Sequence, residues 1–267
     1  MVFYDLRQGL SDFFRSPLII EICFSMCVDI GYKSMLGPDG LPRYIPGIKI
    51  NRELVESDRD RPHIGAHTNP RCLVLVNENN QIGVRIYEWG IIPGFKTPTP
   101  LYNARSEKLM ARGSFWYMHN NNRCLMIAEG VYEHQQRTGV KKKIPYYIKL
   151  KEGEPLLIPA IFSSDDSRFS IITRTANNVF KEIHNAGPNK HRMPLLCQVE
   201  RALEWIRPGL KEKEMGEFLN YLLPDENLDY HTVYSIRGGA VRPDGLRENE
   251  YFNWAQAGRA EQSSLFK

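Results

Sequence analysis

"RCLMIAEGVYEH", residues 123–134, is the stretch on which the reading of this chain turns. An arginine opens a short apolar run, and a polar segment carrying Glu129 and Glu133 follows at once. A run of that length bounded by polar residues reads as a buried strand. A polar turn at its end is a place where a sheet fixes a catalytic side chain while the loop gives access. Similar runs lie on both sides: "RCLVLVN" (71–77), "IGVRIYEW" (82–89), "IPYYIKL" (144–150), "PLLIPAIF" (155–162) and "FSIITRT" (169–175). Asn-rich or Gly-containing turns such as "NENNQ" and "KEGEP" separate them. Helical periodicity is clear only at 198–206 and 211–223, with a shorter helix near 105–112. Strands at this spacing with few helices between them predict a mostly antiparallel α+β domain. We place that domain at residues 27–250, after an extension, 1–26, and before a tail, 251–267.

Bulk properties narrow the classes. Hydrophobic residues make up 42% of 267 and charged residues 25%, ordinary for a globular chain with a full core. A net charge of +4 permits a nucleic-acid partner without arguing for one, because recognition needs a local patch. The cysteines, Cys23, Cys27, Cys72, Cys124 and Cys197, are odd in number, scattered and free of any CxxC. That argues against a disulfide framework and for a reducing cytoplasm. "PLIIEICFSM" (17–26) is interrupted by Glu21 and falls far short of the ~20 residues of a membrane span. It also supplies the small residues of a signal cleavage site poorly, in "CFSM". In "HIGAH", His63 and His67 lie four apart, but Gly65 separates them, Pro62 and Pro70 suggest a loop, and no HExxH glutamate is present. No metal, no cofactor and no membrane partner are expected.

Several polar residues sit where a core role is strained. "YNARSE" sets Asn103 and Arg105 after a Pro-rich loop, and "IHNAGPNKHRMP" gathers His184, His191 and Arg192. Together with a cysteine and Glu133 they supply nucleophile, proton shuttle, orienting group and acid or base. Each has an ordinary explanation too. Asn103 could cap a helix starting at Ala104, Glu133 could be a solvated turn residue, and His184 a hydrogen-bonded loop histidine.

The ordered set "MC", "WGIIPGF", "NARSE", "RCLMIAEGVYEH", "KIPYYIKL" and "IHN…RMPLLC", spanning about residues 26 to 240, resembles the SOS-response-associated peptidase (SRAP) family of abasic-site processing proteins. The resemblance implies a single α+β domain on a curved, barrel-like β core with a positive DNA groove. It implies that Cys27, following Met26, becomes the mature N-terminus and cross-links the ring-opened aldehyde of an abasic site in single-stranded DNA. Asn103 then positions the reacting group, Glu133 passes protons during ring opening, and His184 assists Schiff-base formation and cross-link reversal. Arg105 and Arg192 contact DNA, and Trp89 could stack on a base, though a core tryptophan is the plain alternative. Arg112, Arg123 and Arg174 lie near the same motifs, and a monomer is expected.

An aldehyde and a lone thiol give only a reversible hemithioacetal, whereas an N-terminal cysteine can form an imine and close it to a thiazolidine. Its amine, near pKa ~7.7–8.0, and its thiol, near ~8.5, both keep a reactive fraction at neutrality. Holding both on one residue removes the entropy of bringing them together. With residues 1–26 attached that ring cannot close. Translation from Met26, or removal of the extension, is therefore expected.

Departures from the family stand beside the match. Cys27 is followed by Val28 and Asp29 where commoner members have Gly-Arg, and the family's tryptophan of "GFYEW" is His134. Seven residues separate His184 from Arg192 where the family has one, so His191 is a rival for the histidine's role. Three classes follow: a DNA–protein cross-linking enzyme, a cysteine peptidase whose one act could be removal of its own extension, and an inert single-strand binder. The first is our reading.

Overall fold

The computed structural model describes residues 29–94, 99–139, 142–236 and 241–254. Cys27 and the "PLIIEICFSM" segment lie outside the described residues. Strands β1 (Asp29–Tyr32) and β2 (Arg61–Gly65) come first, then the hairpin β3 (Arg71–Glu78) and β4 (Gln81–Trp89). The short β5 (Asn103–Arg105) precedes β6 (Arg123–Ala128), which runs straight into β7 (Gly130–Gln135). β8 (Ile144–Leu150), β9 (Leu156–Ser163), β10 (Arg168–Thr175), β11 (Arg192–Pro194) and β12 (Leu228–Thr232) complete the strands. The helices are short: α1 (Leu41–Tyr44), α2 (Arg52–Ser57), α3 (Ser106–Leu109), α4 (Phe115–His119), α5 (Asn178–Ile183), α6 (Val199–Trp205) and α7 (Glu212–Leu219).

Two sheets divide the strands. The first is antiparallel throughout, in the order β12-β8-β7-β1-β2. In the second, β10, β4, β3, β6 and β9 pair in turn and β9 pairs back with β10, so the sheet closes on itself. Only β10 makes parallel pairs, with β4 and β5. This is the α+β domain with a curved β core that the strand spacing and the resemblance predict. The β3–β4 turn consists of Asn79 and Asn80, both with positive φ (53° and 64°), the two-residue hairpin geometry that asparagine tolerates.

The opening stretch shows why its apolar half is continuous and its polar half is not a turn. Cys124 to Ala128 are almost wholly buried, because one face of β6 lines the ring and the other lies under α6. Trp205 of α6 donates its indole N–H to Ala160 O (2.9 Å) and stacks on Phe218 of α7. A strand covered on both faces has no polar alternation to show. "GVYEHQ", read from sequence as a polar turn, is instead β7. The chain crosses between sheets at Glu129, whose N–H bonds to Gly31 O (2.8 Å). Gly31 and Gly130 face each other in the ladder, and the Tyr147 ring lies over both. A Cβ on Gly31 would stand 2.4 Å from the Tyr147 hydroxyl, so this pair of glycines is needed for close approach.

"NAR" forms a strand rather than the start of a helix, and "HIG" of "HIGAH" is the end of β2 rather than a loop. Cys72, Cys124 and Cys197 are buried free thiols, as small apolar residues would be. Burial pushes all three thiols up, that of Cys72 to about 12. Among the described residues no helix is long and apolar enough to cross a membrane. Residues near the chain's end fold against the first sheet: Phe252 N donates to Thr232 O (2.8 Å) and Trp254 Nε1 to Val233 O (2.9 Å).

Candidate active site

Both sheets contribute to one cluster. From the first, β7 carries Glu133, 5% exposed. Between the sheets, α5 delivers His184. Asn177 caps this helix by accepting from Phe180 N (3.0 Å) and anchors it by donating to Leu223 O (3.1 Å). His184 ends the helix, its N–H bonded to Phe180 O (2.7 Å). Its ring, 7% exposed, sets Nδ1 3.0 Å from Arg192 O and 3.8 Å from Glu133 Oε1. A carbonyl can only accept, so Nδ1 carries a proton, and in the neutral ring Nε2 keeps its lone pair.

The second sheet brings Asn103, Arg105 and Arg192. β5 pairs parallel with β10, setting Asn103 opposite Ile171 and Arg105 opposite Thr173, while β11 sets Arg192 opposite Thr175. Asn103 and Arg105 therefore share one side of β5, with Ala104 buried on the other. Arg192 grips both oxygens of Glu107 (2.7 and 3.1 Å) and donates to Thr173 O (2.9 Å). Burial pushes the Glu107 carboxyl up, but the Arg192 hydrogen bond and charge outweigh it and hold the group below the ordinary carboxylate range. Arg105 Nη2 donates to Asn189 Oδ1 (3.1 Å).

β1 approaches from the remaining side. It runs antiparallel to β7, Ile30 against Val131 and Gly31 against Gly130, so its first residue lies toward the Glu133 end. Asp29, 3% exposed, bonds His63 Nε2 (2.9 Å). Cys27 is two residues upstream, outside the described residues.

The structure thus sets Glu133, His184 and Arg192 side by side, ties Arg105 in through Asn189, and places Asn103 two residues along β5 from Arg105. It does not bring in Trp89, expected as a base-stacking surface. That side chain is 0% exposed, stacks on Phe169 and donates Nε1 to Tyr102 O (2.9 Å), a core tryptophan in every respect. Arg123 serves elsewhere as well, its guanidinium donating to Trp205 O and Arg207 O, and Arg174 donates to Tyr221 O. Of the two histidines, His184 faces the carboxylate. His191 contributes its main chain: its N–H bonds to His184 O (2.8 Å) and its carbonyl accepts from Ala176 N (2.9 Å), at φ 61°. Glu107, Asn185 and Asn189 escaped the sequence reading, although Glu107 lies inside the "NARSE" motif. Among the described residues no group of His, Cys, Asp and Glu is arranged to hold a metal ion.

The family model described as SOS response associated peptidase (SRAP) matches residues 46–236, well over half the chain. The chain belongs to this family. It is 28% identical over 182 residues to abasic site processing protein YedK of Escherichia coli, covering 66% of this SRAP chain and 78% of that one. It is 27% identical over 188 residues to abasic site processing protein YoqW of Bacillus subtilis, at 66% and 79% coverage. Abasic site processing protein HMCES of Gallus gallus is 27% identical over 191 residues, and the match spans only 54% of that longer protein. Two crystal structures share the SRAP chain's fold. One, from Bacteroides thetaiotaomicron, has a TM-score of 0.63 at 23% identity, covering 84% of this chain and 97% of that one. The other, from Bordetella bronchiseptica, has a TM-score of 0.61 at 16% identity, covering 77% and 100%.

Proposed function

We propose that this protein recognises abasic sites in single-stranded DNA and shields them by covalent capture through Cys27. Family membership and the names of its relatives support the lesion. The buried His184–Glu133 pair carries the chemistry, because it sets a proton-exchanging ring 3.8 Å from a carboxylate. With Nδ1 directed at Arg192 O, the other ring nitrogen is left to act as a base.

In this reading Cys27 is exposed as the first residue, by initiation at Met26 and loss of that methionine or by removal of residues 1–26. The α-amine attacks the aldehyde carbon of the opened sugar and water leaves to give an imine. The thiol then adds across that imine, sulfur bonding to carbon and the proton passing to nitrogen. One water is lost and nothing is oxidised or reduced. Glu133 passes protons during ring opening, His184 serves imine formation and its reversal, and Asn103 orients the reacting carbon. Arg105 and Arg192 meet backbone phosphates. Burial of Glu133 and His184 in a water-poor cluster strengthens each electrostatic contact.

The test is incubation with a single-stranded oligonucleotide carrying one abasic site, followed by a denaturing gel. Protein starting at Met26 should give a gel-stable adduct that Cys27→Ala abolishes. Oligonucleotide binding with no adduct would make it an inert binder. Cleavage of a peptide library with no adduct would make it a peptidase. Either result overturns the proposal.

A further inference from the structure

The seven residues between His184 and Arg192 belong to neither sheet, yet they are tied to both. Asn185 accepts from Gln136 N (2.9 Å) and returns a bond from Nδ2 to Gln136 O (3.0 Å), fastening the loop to the exit of β7. Gly187 turns at φ 96°, and Lys190 N closes the turn onto Gly187 O (3.3 Å). Asn189 then points inward. It is only 7% exposed and accepts from Arg105 Nη2 on β5. At its end, His191 takes a left-handed conformation and locks onto His184 O and Ala176 N. The loop therefore bridges the strand bearing Glu133 and the strand bearing Arg105, passing beside His184.

A Gly- and Pro-containing surface loop ordinarily turns its polar side chains to water. Burying an asparagine against a functional arginine is a different use of it. A free arginine side chain carries much rotamer entropy, and a fixed acceptor removes part of that before substrate arrives. The acceptor is a neutral amide, so it orients the guanidinium without adding a negative charge. Glu107 acts otherwise on Arg192, orienting it and partly cancelling its charge.

We propose that loop 185–191 is a fitting element for the DNA strand, in which Asn189 is a positioning residue that aims Arg105 at a backbone phosphate beside the lesion. This rests on the function proposed above. The test uses the full chain and two single-stranded oligonucleotides, one with an abasic site and one intact, with affinity read across salt concentrations. Asn189→Ala should weaken binding of both about fivefold, the worth of one hydrogen bond, and leave the salt slope unchanged. Arg105→Ala should weaken binding and lower the slope by about 0.7, one phosphate on a single strand. In the Arg105→Ala background, Asn189→Ala should add nothing. Asn189→Asp, close in shape, should bind more weakly than Asn189→Ala, because its carboxylate offsets the Arg105 charge. Unfolding midpoints of all variants identify any that fail to fold, and Asn189→Asp carries the test if Asn189→Ala does. An Asn189 effect that persists without Arg105, or no effect in either variant, overturns the inference. Binding that depends on Asn189 through Arg105, together with no adduct from protein starting at Met26, would sustain the inference and overturn the capture chemistry. Failure to bind either oligonucleotide would overturn both.

Discussion

Glu129 and Glu133 stand four residues apart in one motif and end in different company. Glu129 sits where the chain crosses between sheets and accepts from the Tyr147 hydroxyl (3.0 Å) and Asn249 Nδ2 (3.2 Å). Burial pushes the Tyr147 phenol well up, and the Glu129 charge pushes it further. Those donors stay neutral, so Glu129 has no titrating group among them with which to trade a proton. Glu133 lies 3.8 Å from the ring of His184, a side chain that can hold a proton on either nitrogen. Position in the motif does not separate the two carboxylates; the chemistry of the neighbour does.

The largest expected effect follows from that contrast. Glu133→Gln should slow adduct formation by about 10²–10⁴-fold, the usual worth of general acid–base catalysis, while Glu129→Gln stays within about threefold. Single-turnover gels decide it, and equal losses would erase the distinction. The histidines divide the same way. His184→Ala should cost at least about 10²-fold. His191→Asn, which keeps a residue tolerant of positive φ, should cost less than about threefold. Comparable losses at both would restore the rivalry between them.

Effects on stability should fall on the Glu129 side. A Cβ on Gly130 would stand 2.6 Å from the Tyr147 ring and 2.7 Å from Ile148 O. Gly130→Ala should therefore cost about 1–3 kcal/mol by denaturant unfolding. Tyr147→Phe keeps the ring and loses its bond to Glu129, for about 1 kcal/mol. A larger loss in Tyr147→Phe than in Gly130→Ala would mean that the hydrogen bond, rather than the close approach, holds this corner.

The smallest effect concerns Glu107. Its carboxyl lies below its ordinary pKa, so its contribution is present above the unfolded value of about 4.3 and disappears as pH falls through the folded value. The stability gap between the wild type and Glu107→Gln should be modest at pH 7, because the side chain is half-exposed, and should close in acid. A gap that widened on acidification would contradict the ion pair with Arg192.

Much of the fold was legible because β3, β4, β6, β8, β9 and β10 are apolar runs bounded by turn residues. β7 was not, since "GVYEHQ" looks like a turn until β1 and β8 pair with it on either side. β5 is three residues long and is held by a parallel partner some seventy positions away, a pairing with no local signal. Helix α5 had one, the Asn177 cap, but its six residues are too few for a clear period. Motif order singled out residues that the fold places side by side, Glu133, His184 and Arg192. The exception was Trp89, because a tryptophan at a strand end reads the same whether it faces a base or Phe169. Asn189 and Glu107 show their purpose only when distant strands bring their arginines to them.

The most direct measurement is the intact mass of the adduct that natively expressed protein forms on a single-stranded oligonucleotide with one abasic site. Capture by an N-terminal Cys27 predicts the mass of a chain beginning at that residue plus the oligonucleotide, less one water. An adduct that retains residues 1–26, or one that has lost no water, would contradict it.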